Sequence, residues 1–167
     1  MIISMIAAVA KNQVIGKNND LVWRLPDDMK YFMETTQNHY VIMGRRNYDS
    51  IPHKFKPLPN RVNIIVTKQQ NYTADDCIIK NNIEDALNYA RANKQKEVFI
   101  IGGGQIYRQS LPLANKLYIT EIKESFEGDT YFPELKKAAW QEISRQNHPK
   151  DERHAHTFDF VVYQRKS

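Results

Sequence analysis

The sequence predicts an α/β fold, and three observations carry that expectation. Short apolar runs alternate with stretches of helical spacing along the 167 residues. Two of the runs, Val41-Ile42-Met43 and Val98-Phe99-Ile100-Ile101, are apolar without a break and read as buried strands. Both end in glycine, and residues that can open a helix or a binding loop follow.

The elements follow in order. Residues 2–10 read as the first strand, with Ile2, Ile3, Met5, Ile6 and Val9 apolar. A polar loop over residues 11–24 is long enough to be functional or mobile. Pro26 suits the first turn of a helix, with Asp27 and Asp28 at its positive end, and Asp27 is expected to cap it. Met29, Phe32 and Met33 form an apolar stripe at helical spacing. Strands are expected over residues 40–43, 61–67, 77–79, 97–101 and 117–122. Asn82 can cap a helix reaching about residue 92, and residues 105–110 read as a short one. Residues 140–146 and 158–164 read as an antiparallel ending, separated by the charged stretch 149–153. No repeat or linker divides the chain, so residues 1–167 are expected to form one domain.

The charge of +5 favours anionic partners or a generally basic surface. The single cysteine, Cys77, excludes an internal disulfide, fits a reducing compartment, and has no motif to support it as a nucleophile. The apolar N-terminus lacks the positive region and length of a signal peptide, and no segment approaches membrane-spanning length. A cytoplasmic location is expected. His154 and His156 could share a strand face, but no third ligand sits at metal-site spacing, so no metal is expected.

Three segments carry chemistry. Gly102-Gly103-Gly104 follows a strand and precedes a helix, where glycines admit a ligand to the backbone and a helix N-terminus attracts phosphate. A tight turn needs one glycine, not three, yet the dinucleotide fingerprint Gly-x-Gly-x-x-Gly is absent. Gly44-Arg45-Arg46 leaves a strand at its carboxyl end and can grip a phosphate or form a solvated loop. Asp28 and Phe32, four apart, share a helix face with the apolar stripe. An acid there is a capping residue or a buried functional carboxylate, and burial raises its pKa toward the range of acid/base catalysis.

Nearly the whole chain resembles the bacterial dihydrofolate reductases. The matching segments begin with Ile6-Ala7-Ala8, Val14-Ile15-Gly16 and Trp23-Arg24-Leu25-Pro26-x-Asp28. They continue through Val41-Ile42-Met43-Gly44-Arg45, Pro57-Leu58-Pro59-Asn60-Arg61 and Ile64-Ile65-Val66-Thr67. Ile101-Gly102-Gly103-Gly104-x-Ile106-Tyr107, Leu117-Tyr118-Ile119-Thr120 and Glu127-Gly128-Asp129-Thr130-x-Phe132-Pro133 complete the series in family order.

The resemblance implies an eight-stranded, mostly parallel sheet flanked by helices, with an antiparallel C-terminal strand. It implies reduction of 7,8-dihydrofolate to tetrahydrofolate by hydride transfer from NADPH, with a proton reaching N5. Asp28 matches the family's pterin-binding acid, Thr120 the hydroxyl supporting it, and Trp23 the residue that fixes a nearby water. Ile6, Ala7, Phe32, Ile51, Leu58 and Ile101 would line the substrate pocket, and Arg61 would pair with the glutamate α-carboxylate. Ala8, Ile15 and Gly16 would meet the nicotinamide side of NADPH. Gly102, Gly103, Gly104, Gln105, Ile106 and Tyr107 would surround the pyrophosphate. Gly44, Arg45, Arg46 and Asn47 form the basic loop, with Thr67 and Lys68 at the adenosine 2′-phosphate. Residues 16–22 match the mobile active-site loop. The family further implies a cytoplasmic monomer, bound by antifolate inhibitors, with no nucleic-acid or membrane partner.

Some positions depart from the family pattern. Asn47 stands for a usual threonine, Tyr48 for a frequent tryptophan and Val22 for a proline, while Gln105 replaces a basic residue of some members. The loop after Ile51 looks longer than in short relatives. Two other readings compete. A same-fold reductase of a pyrimidine intermediate would not need Trp23, Asp28 or Arg61. A nucleic-acid-binding module would align its basic residues with stacking aromatics, whereas here they are scattered.

Overall fold

A computed structural model of the chain describes residues 1–167. The strands are β1 (Ile2–Val9), β2 (Val14–Gly16), β3 (Tyr40–Gly44), β4 (Val62–Val66), β5 (Cys77–Lys80), β6 (Glu97–Ile100), β7 (Lys116–Ile122), β8 (Thr130–Tyr131), β9 (Trp140–His148) and β10 (Phe158–Arg165). The helices are α1 (Pro26–Thr36), α2 (Arg45–Ser50), α3 (Ile83–Ala92) and α4 (Gly104–Ser110). Eight strands form one sheet in the order β5-β4-β3-β6-β1-β7-β10-β9, and only β10 runs opposite to the other seven. The α/β class and the antiparallel ending are therefore present as expected.

Alternation along the strands divides the core into two layers. Met5, Ile42, Ile64, Ile100 and Leu117 face one side, under α3 and α4. Ile6, Val41, Met43, Ile65 and Phe99 face the other, where Tyr31 and Phe32 of α1 pack. With six parallel neighbours, the carboxyl ends of β1, β3, β6 and β7 meet at one edge of the sheet. There the backbone is ready to receive ligands. No helix is long and apolar enough to cross a membrane.

The structure corrects several expectations. Met29 and Met33 are 56% and 46% exposed, so they do not form the inner stripe. The inner face of α1 is Asp28, Tyr31, Phe32 and Thr36, also at helical spacing, because this side meets the sheet. Asp27 does not cap α1. Leu25 holds the N-cap position, and the Asp27 carboxylate turns away to the β9–β10 hairpin. Arg45 and Arg46 begin a helix rather than a solvated loop. The short strands β2 and β8 pair with each other inside segments that read as loops.

Candidate active site

Asp28 sits in the first turn of α1, half-buried, facing the end of β7. The Thr120 hydroxyl donates to its carboxylate at 2.6 Å. Burial pushes the Asp28 carboxyl up to about 6, against the opposing pull of the Thr120 hydrogen bond. An acid poised there can hold or release a proton near neutrality. Asp28 and Trp23 line one pocket of about 410 Å³ with Leu21, Leu25 and Met29. The buried indole N–H of Trp23 has no hydrogen-bond partner in the chain. It is an unpartnered donor on a residue that shares a pocket with Asp28.

A second, larger cleft of about 1030 Å³ runs along the carboxyl edge of the sheet. It collects Ala7, Ala8, Ile15, Gly16, Gly44, Arg45, Arg46, Asn47, Thr67, Lys68 and Ile101, and residues 103–107 of the glycine turn. Of the expected cofactor residues only Gly102 does not line it. Gly102 has a structural task instead. Its φ is +113°, and a Cβ there would lie 2.9 Å from the Tyr107 ring. The Gly102 carbonyl accepts the Gly44 N–H at 2.9 Å, joining the two glycine segments. The Gly102–Gly103 peptide is cis. Gly104 is needed for close packing, since a Cβ would meet Thr130 at 2.8 Å.

Gly103 is different. It has no positive φ, and a Cβ built on it meets nothing within 4 Å. Neither backbone strain nor packing calls for glycine here, but the approach of a ligand to the cleft wall does. The cleft is also cationic. Arg45 is paired with Asp49 at 3.0 Å, while Arg46, Lys68 and Arg108 lie in the cleft without an ion-pair partner in the chain. Close backbone, a helix start and unpaired cations fit a phosphate-bearing cofactor.

The expected substrate residues Phe32, Ile51, Leu58 and Arg61 line neither of these two pockets. Phe32, Ile51 and Leu58 pack against Ile6 and Ile101 in the second core layer. Arg61 donates to the Pro59 carbonyl at 2.9 Å and to Thr36 at 3.1 Å, and its guanidinium lies 5.9 Å from the centre of the Phe32 ring. Sequence reasoning missed Asn63. Fully buried on β4, it accepts the Leu58 N–H at 3.0 Å and donates to the carbonyls of Leu58 and Arg61. Asn63 thereby shapes the Leu58–Arg61 wall. A polar residue inside the apolar run Val62–Val66 was the signal available.

The loop over residues 16–20 is tied to the β8 segment. Asp129 accepts the Asn18 N–H at 2.9 Å and donates its own N–H to the Gly16 carbonyl at 3.1 Å. Gly128 permits the approach, since a Cβ would lie 2.4 Å from Val14. Asn19, Asp20 and Leu21 of the expected active-site loop also line the larger cleft, as do Asn81, Asn82, Arg108 and Thr130, which were not anticipated as site residues.

A family model described as dihydrofolate reductase matches residues 2–165. The chain belongs to the dihydrofolate reductase family. It is 39% identical over 165 residues to the dihydrofolate reductase of Bacillus subtilis, covering 99% of this chain and 95% of that protein. It is 42% identical over 163 residues to that of Staphylococcus haemolyticus, covering 98% and 95%. Its fold is similar to that of the dihydrofolate reductase from Enterococcus faecalis complexed with NADP(H) and RAB-propyl. The TM-score is 0.89, with 33% identity and coverage of 99% of this chain and 97% of that one. Two departures from the dihydrofolate reductase pattern have visible roles. Asn47 donates to the Ile101 carbonyl at 3.3 Å, and Tyr48 is buried in the second core layer with Lys56 above its ring. The loop after Ile51 folds as a single 3-10 turn over His53–Phe55. Cys77 packs beside that layer, and burial pushes its thiol pKa up, which opposes nucleophile chemistry.

Proposed function

We propose that the chain reduces 7,8-dihydrofolate to 5,6,7,8-tetrahydrofolate with NADPH, supplying tetrahydrofolate for one-carbon metabolism. The observation that carries this reading is the Asp28 carboxyl, raised to about 6 and held by Thr120, in a pocket beside a glycine-walled cationic cleft. Bound in that cleft, NADPH supplies the hydride that passes from nicotinamide C4 to pterin C6. Ala8, Ile15 and Gly16 border its nicotinamide end. Gly103, Gly104 and Gln105 receive the pyrophosphate, with Ile106 and Tyr107 behind them. Gly44, Arg45, Arg46 and Asn47 bind the adjoining phosphates, and Thr67 and Lys68 select the 2′-phosphate.

Asp28 accepts hydrogen bonds from the pterin 2-amino and N3–H groups and so orients the ring. It promotes protonation at N5 through a water fixed by the free Trp23 indole N–H, rather than by direct donation. Ile6, Ala7, Phe32, Ile51, Leu58 and Ile101 enclose the pterin and aminobenzoyl rings. Arg61 presents its remaining N–H groups to the glutamate α-carboxylate. Closure of the loop over residues 16–22 excludes water from the reacting atoms. Antifolate inhibitors would compete for the same pocket. One chain supplies the residues of both pockets, which supports a single domain working as a monomer.

The direct test mixes purified protein, NADPH and dihydrofolate and follows the fall in NADPH absorbance. A folded sample without turnover rejects the reading. Arg61→Ala is expected to raise the Michaelis constant for dihydrofolate about 10- to 100-fold, the worth of a charge-assisted forked pair. Turnover at saturation should change much less. An unchanged constant would remove Arg61 from the substrate site.

A further inference from the structure

Asp27, the neighbour of Asp28, is held by the far end of the sheet rather than by its own helix. Three contacts reach it across more than 120 residues of sequence. The Asp27 N–H donates to His154 Nε2 at 3.1 Å. Arg153 Nη2 donates to Asp27 Oδ1 at 2.6 Å, and His148 Nε2 lies 2.8 Å from Asp27 Oδ2. All three partners belong to the turn between β9 and β10 or to the last residue of β9.

The hydrogen-bond pattern assigns the protons. His148 Nδ1 lies 2.9 Å from the Pro149 carbonyl, so both of its ring nitrogens face groups that only accept. Each must carry hydrogen, which makes His148 an imidazolium. His154 Nε2 accepts from Asp27, so its proton sits on Nδ1 and goes to Asp151 at 2.7 Å. Two carboxylates, Asp27 and Asp151, face two cations, His148 and Arg153. The His154 ring and the rings of Phe158 and Phe160 on β10 complete the surroundings of His148. Burial opposes the His148 charge, but the Asp27 and Pro149 hydrogen bonds outweigh it and hold its pKa above the ordinary histidine value. This grip is complete below about pH 6.5 and is lost as pH rises through the raised value. The histidine and aspartate atoms lie within 4.8 Å of one another, yet their donors and acceptors are already matched without an ion.

We propose that His148 and Arg153 are positioning residues for the reductase reaction: by gripping Asp27 they fix the first turn of α1, and with it the Asp28 carboxylate against Thr120. The proposal rests on the reading of Asp28 as the pterin-binding acid. A carboxylate that must meet a substrate closely loses rate when its support shifts. The two anchors of this turn are complementary. Thr120 on β7 holds the functional acid, and the hairpin holds the acid before it.

The test pairs spectroscopy with kinetics on the full chain. The ring resonances of His148 are titrated by NMR in the unaltered protein and in Asp27→Asn. The titration midpoint is expected to fall by about one unit in the variant. His148→Ala is expected to lower kcat about three- to tenfold while leaving the NADPH Michaelis constant within about twofold. The loosened Thr120 bond should also move the apparent pKa of turnover up by about half a unit, because that bond favours the ionised acid. His148→Gln, which keeps one N–H for Asp27, should recover much of kcat. Arg153→Gln, on a largely exposed side chain, cannot disturb the core and should lower kcat by about twofold. Equal His148 midpoints in the two proteins would overturn the proposal, as would wild-type kcat and pH profile in folded His148→Ala or, if that variant fails to fold, in Arg153→Gln. Asp28→Asn assayed alongside separates the two failures. Full activity there rejects the reading of Asp28, whereas an inactive Asp28→Asn beside a fully active His148→Ala rejects only the grip.

Discussion

Asp28→Asn is expected to cut turnover about 10²- to 10⁴-fold at neutral pH, the usual worth of a positioned acid, and to make the protein more stable. Asparagine keeps the shape and can still accept the Thr120 hydroxyl, but it cannot hold the pterin N3–H and 2-amino group as a carboxylate does. The stability half follows from linkage. The folded Asp28 has a pKa of about 6, above the ordinary value of 3.8, so the fold binds its proton more tightly than the unfolded chain does. Below about pH 4 the carboxyl is neutral in both states and costs nothing. As pH rises through 6, the folded state must ionise a partly desolvated group, and stability is lost. The full shift corresponds to about 3 kcal/mol, which solvent in the open pocket reduces to ~1–2 kcal/mol. Denaturant melts at pH 8 should therefore place Asp28→Asn above the parent, with the gap closing near pH 4. Equal stability at pH 8 would mean that the carboxylate is well solvated and that its raised pKa is not a property of this site.

The legibility of the site differed from residue to residue for physical reasons. The strand ends at Gly44 and Gly102 were readable because a buried strand running into glycine leaves a strong local pattern. Asp28 was marked as a candidate by its helix face, but its partner Thr120 and the role of Arg61 were legible only through family resemblance, since the Asp28–Thr120 and Thr36–Arg61 contacts span 92 and 25 residues that no periodicity reports. The pairing of β2 with β8 was hidden because strands of three and two residues carry no alternation. Met29 and Met33 misled because an apolar residue at helical spacing can stand in solvent, and Phe32 with Tyr31 is enough to seat α1. Asp27 misled because first-turn acids commonly cap helices, while here a distant imidazolium and guanidinium compete for the carboxylate and win it.

The three consecutive glycines looked alike in sequence and do different work, so their variants should separate. Gly102→Ala is expected to lose about 3 kcal/mol, combining a backbone region disfavoured for alanine with steric overlap. At this chain length that corresponds to a melting temperature lower by about 10 °C. The overlap cannot be relieved cheaply. The new methyl would press on the Tyr107 ring from 2.9 Å, and that ring is buried with its hydroxyl donating to the Ile6 carbonyl at 2.6 Å. Moving Tyr107 breaks that bond beside Ala7 and Ala8, so the damage passes from the glycine turn to the strand that borders the cleft. Gly103→Ala should behave oppositely. Its methyl points into open space, so stability should stay within about 0.5 kcal/mol of the parent. It would, however, stand where the cofactor approaches, and the Michaelis constant for NADPH should rise about tenfold, the equivalent of ~1.4 kcal/mol of binding. A stable Gly102→Ala would show that Tyr107 yields more easily than its hydrogen bond implies. An unchanged NADPH constant in Gly103→Ala would move the pyrophosphate away from the glycine turn, and with it the cofactor placement proposed for Gly104 and Gln105.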